Sequence, residues 1–308
     1  MRIGVIGVGH LGRHHARILS ESPEVRLAAV VDVNQSRARE VAAERSTTPF
    51  TEWRAILDAV DAVTIAAPTQ VHLEIAEAFV ERGVHVLVEK PMTPTIADAD
   101  RLVALARRRD VVLAVGHTER FNPAVERVRS LVQEPRFIEV HRLGTFPERS
   151  LDIDVVFDLM IHDLDVVLNL VADEVIGIEA VGVPVLTSRV DIANARLRFS
   201  RGCIANLTAS RISRDRVRKI RVFQRDAYLS IDYAAQEVEI WRLVPVPGQG
   251  PRIEGGKLDV IREEPLKREL DDFVAAIREK REPVVTGAQG RAALALAEQV
   301  VARMEMAT

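Results

Sequence analysis

The chain has one cysteine, little net charge and no long apolar run. A single thiol, Cys203, excludes an intrachain disulfide and a zinc site built from several thiolates. Cys203 lies in an apolar strand pattern, which favours a buried, inert thiol. A formal net charge of -3 provides no global basic field for attracting nucleic acid. No apolar run approaches the ~20 residues that a membrane helix needs.

The amino-acid composition is typical of a globular protein. The 308 residues are 47% hydrophobic and 28% charged, enough for two domains that each have a core. The apolar start Ile3–Gly7 is too short and too glycine-broken for a signal peptide and predicts a first strand instead. We therefore expect a cytoplasmic protein that binds neither membrane nor nucleic acid.

Residues 2 to 116 alternate apolar strand patterns with helical patterns, which predicts an α/β fold with a doubly wound parallel sheet. The strands read as nearly continuous apolar runs, as expected where helices cover both faces of a sheet. The predicted strands are Arg2–Ile6, Val25–Asp32, Ala62–Ala66, His85–Glu89 and Val111–Gly116. The predicted helices are Leu11–Ser20, Arg37–Glu44, Trp53–Leu57, His72–Arg82 and Ile96–Arg108.

The pattern changes after Gly116 to one helix-rich segment and then strands without intervening helices. Strict alternation in Ala193–Phe199 indicates a sheet with one buried and one wet face. We predict a first domain over 1–118 and a second, α+β domain over 119–308 with an open-faced, mostly antiparallel sheet. The last helix is expected to pack back on the first domain. The polar sheet face predicts a homodimer or homotetramer.

A glycine fingerprint, Gly7-Val8-Gly9-His10-Leu11-Gly12, follows the first predicted strand and opens a helical pattern. In this setting it predicts a dinucleotide site, with the pyrophosphate at the helix N-terminus. Asp32, twenty residues after Gly12, would bind ribose hydroxyls and favour NAD over NADP. Arg37 lies nearby in the sequence and would tolerate a 2′-phosphate.

Two further segments follow strands of the same predicted sheet. Pro68 and Thr69, with His72, are expected near the dinucleotide, although Thr69 would equally serve as a helix cap. Glu89 and Lys90, both expected to contact the cofactor, lie at the end of the strand His85–Glu89, at the edge where such sheets bind ligands. A charged amine at this edge suits chemistry on a hydroxyl or a carbonyl. Together with the dinucleotide site, it predicts a nicotinamide-dependent oxidoreductase.

The second domain offers an acid and an imidazole at helical spacing. Asp158 and His162 are four residues apart, hence on one helix face. As a functional pair, His162 would take a substrate proton while Asp158 supports it; Lys90, if its pKa were lowered, is the other candidate base. A structural hydrogen-bonded pair of Asp158 and His162 is the alternative to a functional one. Asp163, a candidate for binding the substrate, and Asp165 crowd the same turn, and the sequence leaves open which acid points inward.

Other polar residues suit a substrate with hydroxyl or phosphate groups. His117, Arg120 and Asn122 follow the last parallel strand, where a solvated connection is the alternative. Arg120, Arg149 and Arg211 are candidates for contacting a diphosphate. Residues 211–225 are rich in arginine but lack the interleaved aromatics of a single-strand binder, so we interpret them as a solvated strand edge. No metal site is predicted.

Together these motifs resemble the glucose–fructose oxidoreductase/inositol dehydrogenase (Gfo/Idh/MocA) family over essentially the whole chain. The matching residues are Gly7, Gly9, Gly12, Pro68, His72, Glu89, Lys90, Pro91, Asp158 and His162. The resemblance implies that Lys90 and His162 contact the reacting hydroxyl, with Asp158 nearby, and that the Lys90–Pro91 peptide bond is cis.

A narrower resemblance rests on residues 116–123 and 157–163. These segments are similar to the branch that oxidises the 3-hydroxyl of UDP-N-acetylglucosamine to a 3-keto sugar for a partner aminotransferase, on routes to lipid A or surface polysaccharide. A polyol or free-sugar dehydrogenase is the alternative within the family. A non-catalytic NAD-binding sensor is the alternative of another class.

Overall fold

The computed structural model describes residues 1–146, 153–248 and 250–306 and divides the chain into two compact units. The first unit comprises Met1–Thr118 and Leu266–Leu294; the second comprises Glu119–Pro265 and the residues from Ala295 onward. No helix within the described ranges is long and apolar enough to cross a membrane.

The first unit contains a six-stranded sheet in which all neighbouring strands are parallel. Its strands are β1 Arg2–Ile6, β2 Arg26–Val31, β3 Thr48–Phe50, β4 Ala62–Ile65, β5 His85–Glu89 and β6 Leu113–Gly116. The order β3-β2-β1-β4-β5-β6 reverses direction between β1 and β4, which is where such sheets bind ligands. The predicted doubly wound fold is confirmed.

Four helices of this unit lie between the strands: α1 Gly12–Glu21, α2 Gln35–Glu44, α3 His72–Val80 and α4 Ile96–Arg109. Short 3₁₀ turns occur at Trp53–Ile56 and Thr69–Val71. Edge strand β3 was not predicted, because it has only three residues and its centre is a proline, which gives no alternating pattern.

The second unit contains a nine-stranded, mostly antiparallel sheet. Helix α5, Pro123–Arg129, precedes the first strand of this sheet, and helix α6, Ile161–Val171, lies between its first and second strands. A 3₁₀ turn spans Thr118–Phe121. Its strands are β7 Phe137–Leu143, β8 Val175–Val183, β9 Ile192–Phe199, β10 Ile204–Ser210, β11 Val217–Phe223, β12 Ala227–Asp232, β13 Glu237–Val244, β14 Arg252–Leu258 and β15 Met304–Met306.

Strand order in this sheet is β14-β13-β12-β11-β7-β10-β9-β8-β15, with β7–β10 and β8–β15 parallel and the other pairs antiparallel. Burial alternates along β7, β9 and β12, so one face is packed and the other is more open. The predicted open-faced sheet is confirmed. Strands β8, β14 and β15 were not predicted, since they are largely exposed, glycine-containing or very short.

The remaining helices are α7 Pro265–Glu279 and α8 Gly287–Ala302. Leu266, Leu270 and Phe273 of α7 join the buried cluster formed by β1, β2 and α1. The chain thus returns to the first unit after its central portion has formed the second sheet.

Candidate active site

The turn after β1 is shaped by three glycines with different roles. Gly7 has φ +82°, and a Cβ there would lie 2.7 Å from the backbone of Ala66. A Cβ on Gly12 would lie 1.8 Å from the carbonyl oxygen of Gly7, so only glycine lets α1 pack this closely. A Cβ on Gly9 would meet nothing within 4 Å, which leaves open space above the turn.

This turn suits the pyrophosphate of a dinucleotide. Helix α1 begins after Leu11 without a side-chain cap, and its first turn carries no acidic residue. Its N–H groups and positive dipole end are therefore compatible with an anion. His10 and Leu11, the other two residues of the turn predicted to contact the cofactor, are both exposed.

Asp32 stands just after β2, only 6% exposed, with a fixed carboxylate. Its Oδ2 accepts from the amide of Val8 at 3.0 Å and its Oδ1 from the amide of Asn34 at 2.9 Å. The guanidinium of Arg37 lies 3.3 and 3.4 Å from the two oxygens. The fixed carboxylate of Asp32 is thus suited to accept hydrogen bonds from the hydroxyls of an adenosine ribose.

Lys90 follows β5 and is partly exposed, and the Lys90–Pro91 peptide bond is cis, as the resemblance implied. Glu89 points into the unit instead: its Oε1 lies 3.1 Å from His15 Nε2, and its Oε2 accepts from the amide of Lys90 at 3.3 Å. The direct cofactor contact predicted for Glu89 stays a prediction.

His72 is also turned inward, at 1% exposure. Its Nδ1 lies 3.0 Å from the carbonyl oxygen of Pro91 and its Nε2 lies 2.8 Å from that of Ala67. Burial lowers the pKa of His72, while both carbonyls and the Glu89 carboxylate favour the protonated ring. Pro68 is exposed and Thr69 partly exposed at the 3₁₀ turn, where no side-chain cap is formed.

In the second unit, a π-helix over Val156–Met160 runs directly into α6. Such widened turns are rare and frequent at functional sites. Asp158 lies in the π-helix and His162 in the first turn of α6, and both are partly exposed. They are the accessible polar pair of this segment.

Asp163 and Asp165 are each 2% exposed and are paired with arginines. Arg142 binds both oxygens of Asp163, Nε to Oδ2 at 2.7 Å and Nη2 to Oδ1 at 2.9 Å. Arg120 contacts Asp165 at 3.2 Å. Although burial alone would lower it, the pKa of Arg142 lies well above its ordinary range because the carboxylates of Asp163 and Glu119 contact it. Both acids therefore point inward.

The remaining predicted substrate residues also have internal contacts. Asn122 caps α5 by accepting from the amide of Ala124 and donates to the carbonyl of Tyr233. Arg211, at 1% exposure, donates to the carbonyl of Val190 at 2.9 Å and lies 3.2 Å from Asp191. His117, in the first unit, is 1% exposed. Arg149 lies outside the described residues. Their substrate roles stay predictions.

Comparison with known proteins places this geometry in context. Residues 1–117 match the model of the Gfo/Idh/MocA oxidoreductase family with an NAD-binding Rossmann fold. UDP-N-acetylglucosamine 3-dehydrogenase of Acidithiobacillus ferrooxidans is 42% identical to the chain, over 99% of this chain and 97% of that protein. The chain belongs to the Gfo/Idh/MocA family. It is therefore a nicotinamide-dependent dehydrogenase that acts on CH–OH groups, which sets the sensor alternative aside.

Solved structures agree with the fold. A structure of the Acidithiobacillus enzyme superposes with a TM-score of 0.93, covering 99% of this chain and 97% of the other. Myo-inositol 2-dehydrogenase of Thermotoga maritima is 27% identical over 96% of this chain and 94% of that protein. Levoglucosan dehydrogenase in complex with NADH shares the fold at a TM-score of 0.86 with 17% identity, covering 98% of this chain and 96% of the other.

Two residues that hold predicted site residues in place were not predicted themselves. They are His15, which contacts Glu89, and Arg142, which binds Asp163. The signal for Arg142 was available: it occupies the inward-facing position of β7 in series with Ile138 and Val140. A charged residue at such a position needs a buried partner. His15 carried no signal, because its partner Glu89 is distant in sequence.

Proposed function

We propose that this chain is an NAD-dependent dehydrogenase that oxidises the 3-hydroxyl of UDP-N-acetylglucosamine to a 3-keto sugar. The observation that carries the proposal is the 42% identity with an enzyme of that activity over 99% of the chain. The inositol dehydrogenase of Thermotoga is 27% identical over a similar span, so the polyol alternative has less support.

NAD is preferred over NADP in this proposal because of Asp32. Its buried carboxylate is held by two backbone amides, so it cannot swing away from a 2′-phosphate without losing both bonds. A phosphate in that place would meet a fixed negative charge.

The proposed chemistry assigns one role to each of three side chains. When bound, the nicotinamide supplies the hydride acceptor for oxidation of the secondary alcohol. Lys90 stabilises the negative charge that develops on the substrate oxygen. His162 accepts the hydroxyl proton, and Asp158, four residues before it in the chain, supports the resulting imidazolium.

The proposed product also defines a partner reaction. A 3-keto nucleotide sugar is a substrate for transamination, so we propose that an aminotransferase consumes it on a route to diamino sugars of lipid A or surface polysaccharide. The enzyme is proposed to act as a homodimer or homotetramer.

The proposal is tested by incubating purified protein with NAD and UDP-N-acetylglucosamine and recording NADH absorbance. A keto-acid acceptor in a parallel sample tests for tightly held reduced cofactor. We expect NADH formation and a product lighter by two hydrogens in mass spectrometry. Turnover of myo-inositol or free sugars, with none of the nucleotide sugar, would replace this proposal with the polyol alternative.

Replacing Lys90 by Ala tests its assigned role. Turnover should fall by about 10²- to 10³-fold, the usual loss for a removed oxyanion-stabilising donor. The affinity for NADH should change little, as measured by fluorescence titration. Loss of NADH binding together with activity would contradict a role in catalysis, and the control Lys257→Ala, at an exposed ion pair, should keep full activity.

A further inference from the structure

Two buried histidines bracket Lys90 in the chain. His15, on α1, contacts the carboxylate of Glu89, the residue before Lys90. His72, at the start of α3, contacts the carbonyl oxygen of Pro91, the residue after it. The histidines are 0% and 1% exposed, so neither ring is presented to a ligand in solution.

Each contact is specific to one ring nitrogen. His15 uses Nε2, at 3.1 Å from Glu89 Oε1, whereas His72 uses Nδ1, at 3.0 Å from the Pro91 oxygen. The other nitrogen of His72 reaches the Ala67 carbonyl at 2.8 Å. An imidazolium, with two N–H donors, satisfies both carbonyls, and a neutral imidazole satisfies one. The ring therefore links the loop after β4 to the loop after β5.

The residues around Glu89 leave space for its inward-pointing carboxylate and bind it. A Cβ on Gly116 would lie 2.7 to 2.8 Å from the Glu89 carboxyl group, so glycine at the end of β6 leaves the space that the carboxylate occupies. The same carboxylate accepts from the amide of Lys90. Buried polar groups are costly unless they are paired, and here each pairing fixes a neighbour of the same lysine.

We propose that His15 and His72 are positioning residues for Lys90: they hold residues 89 and 91 and thereby set the place and direction of the Lys90 side chain. This inference rests on the role proposed for Lys90. Neither histidine touches the reacting atoms, and each acts through its neighbour of Lys90.

Asparagine and glutamine separate this role from a general structural one. An Asn amide reaches about as far as His Nδ1, and a Gln amide about as far as Nε2. His72→Asn therefore keeps the donor to Pro91, whereas His72→Gln keeps only the donor to Ala67. At position 15 the order reverses: His15→Gln keeps the donor to Glu89 and His15→Asn loses it.

The expected result is a crossover in kcat. His72→Gln and His15→Asn should lose about 10- to 100-fold, as misplaced catalytic groups do, while His72→Asn and His15→Gln should stay within about threefold of the parent protein. NAD affinity should be similar in all four. A matched control is His85, at the amino end of β5, whose Nδ1 accepts from the amide of Val112. His85→Gln and His85→Asn should leave kcat unchanged.

A second readout needs no turnover. The chain has five lysines, so protein labelled with ¹³Cε-lysine gives few signals, and Lys90→Arg identifies that of Lys90. In His72→Gln and His15→Asn this signal should shift or broaden; in the other two variants and the His85 controls it should not. If the parent protein oxidises none of the tested sugars, the function proposal fails while the NMR comparison still decides this one.

Equal losses for Asn and Gln at each position would overturn the inference, as would losses of kcat that only follow losses of thermal stability. The two positions are tested by separate variants, so a variant that does not fold at one leaves the comparison at the other decisive.

Discussion

The proposed preference for NAD rests on one carboxylate, that of Asp32, with the guanidinium of Arg37 at 3.3 Å from it. Under that proposal the aspartate would repel a 2′-phosphate, and the arginine, with 44% of its side chain exposed, would turn toward one once the aspartate charge is gone. Replacing Asp32 by a neutral residue would therefore remove the repulsion and release the arginine, and both changes would favour NADP.

Asp32→Asn should lower the ratio of kcat/KM with NAD to that with NADP by about 10- to 100-fold, the effect of about 1–3 kcal/mol on a charged contact. Steady-state kinetics with both cofactors measures it. Glu40→Gln, at an exposed acid of the next helix, serves as the control and should leave the ratio unchanged. An unaltered ratio in Asp32→Asn would contradict the selectivity assigned to this residue.

At the scale of elements, the connection between β8 and β9 depends on one buried side chain. Asp191 accepts from the amides of Val185, Leu186 and Thr187 at 2.7 to 2.9 Å and from the Thr187 hydroxyl at 2.8 Å. Burial opposes ionisation, but these hydrogen bonds lower the pKa of Asp191 to about 2.

Because of this loop, the free energy of unfolding should fall as the pH is lowered into the acid range. Because the folded-state pKa lies below that of the unfolded chain, the stabilisation is complete above about pH 4 and disappears as pH falls toward 2. The difference of nearly two pKa units corresponds to about 2 kcal/mol. Asp191→Asn should lower the free energy of unfolding by about that amount at pH 6 and flatten its fall between pH 4 and pH 2, as measured by urea denaturation.

Asp215→Asn is the matched control, since Asp215 is exposed on the same unit. It should retain the parent pH dependence. If Asp191→Asn also retained it, the low pKa would have no part in holding the loop.

The π-helix and α6 together carry three acids in two kinds of environment. Asp163 and Asp165 bind Arg142 and Arg120 inside the unit, which leaves Asp158 and His162 as the partly exposed pair. Spacing indicated the pair, because residues four apart share a helix face. Spacing could not assign the inner acids, because both arginines come from other elements.

At the scale of the whole molecule, the open face of the nine-stranded sheet is the proposed self-association surface. A register-matched row crosses it with alternating charge: Glu239, Ser230, Arg221, Glu139, Asn206, Arg196 and Glu179. Beside it lies an aromatic row in which the Phe137–Phe223 and Phe223–Tyr228 ring centroids are 5.7 and 5.1 Å apart. Alternating charge is self-complementary in a two-fold interface.

The double substitution Arg196→Glu and Arg221→Glu makes this row uniformly acidic and should reduce the assembly to smaller species. Light scattering coupled to gel filtration gives the mass. We expect a homodimer or homotetramer for the parent protein and a lower mass for the variant. Arg54→Glu, exposed on the first unit, should keep the parent mass. A monomeric parent, or a variant of unchanged mass, would contradict the proposed surface.

The amino-acid sequence was sufficient to predict the doubly wound fold of the first unit, the dinucleotide turn and the family. These follow from local signals: apolar runs, glycines that a tight turn requires, and short motifs at strand ends. The folded chain was needed to establish the other features: the inward positions of Glu89 and His72, the pairing of Asp163 with Arg142, the internal bonds of Arg211, and strands β8, β14 and β15. The side-chain contacts depend on partners that are distant in the chain. Periodicity predicts which face of a helix or strand a residue occupies, but it does not identify the partner that its side chain meets.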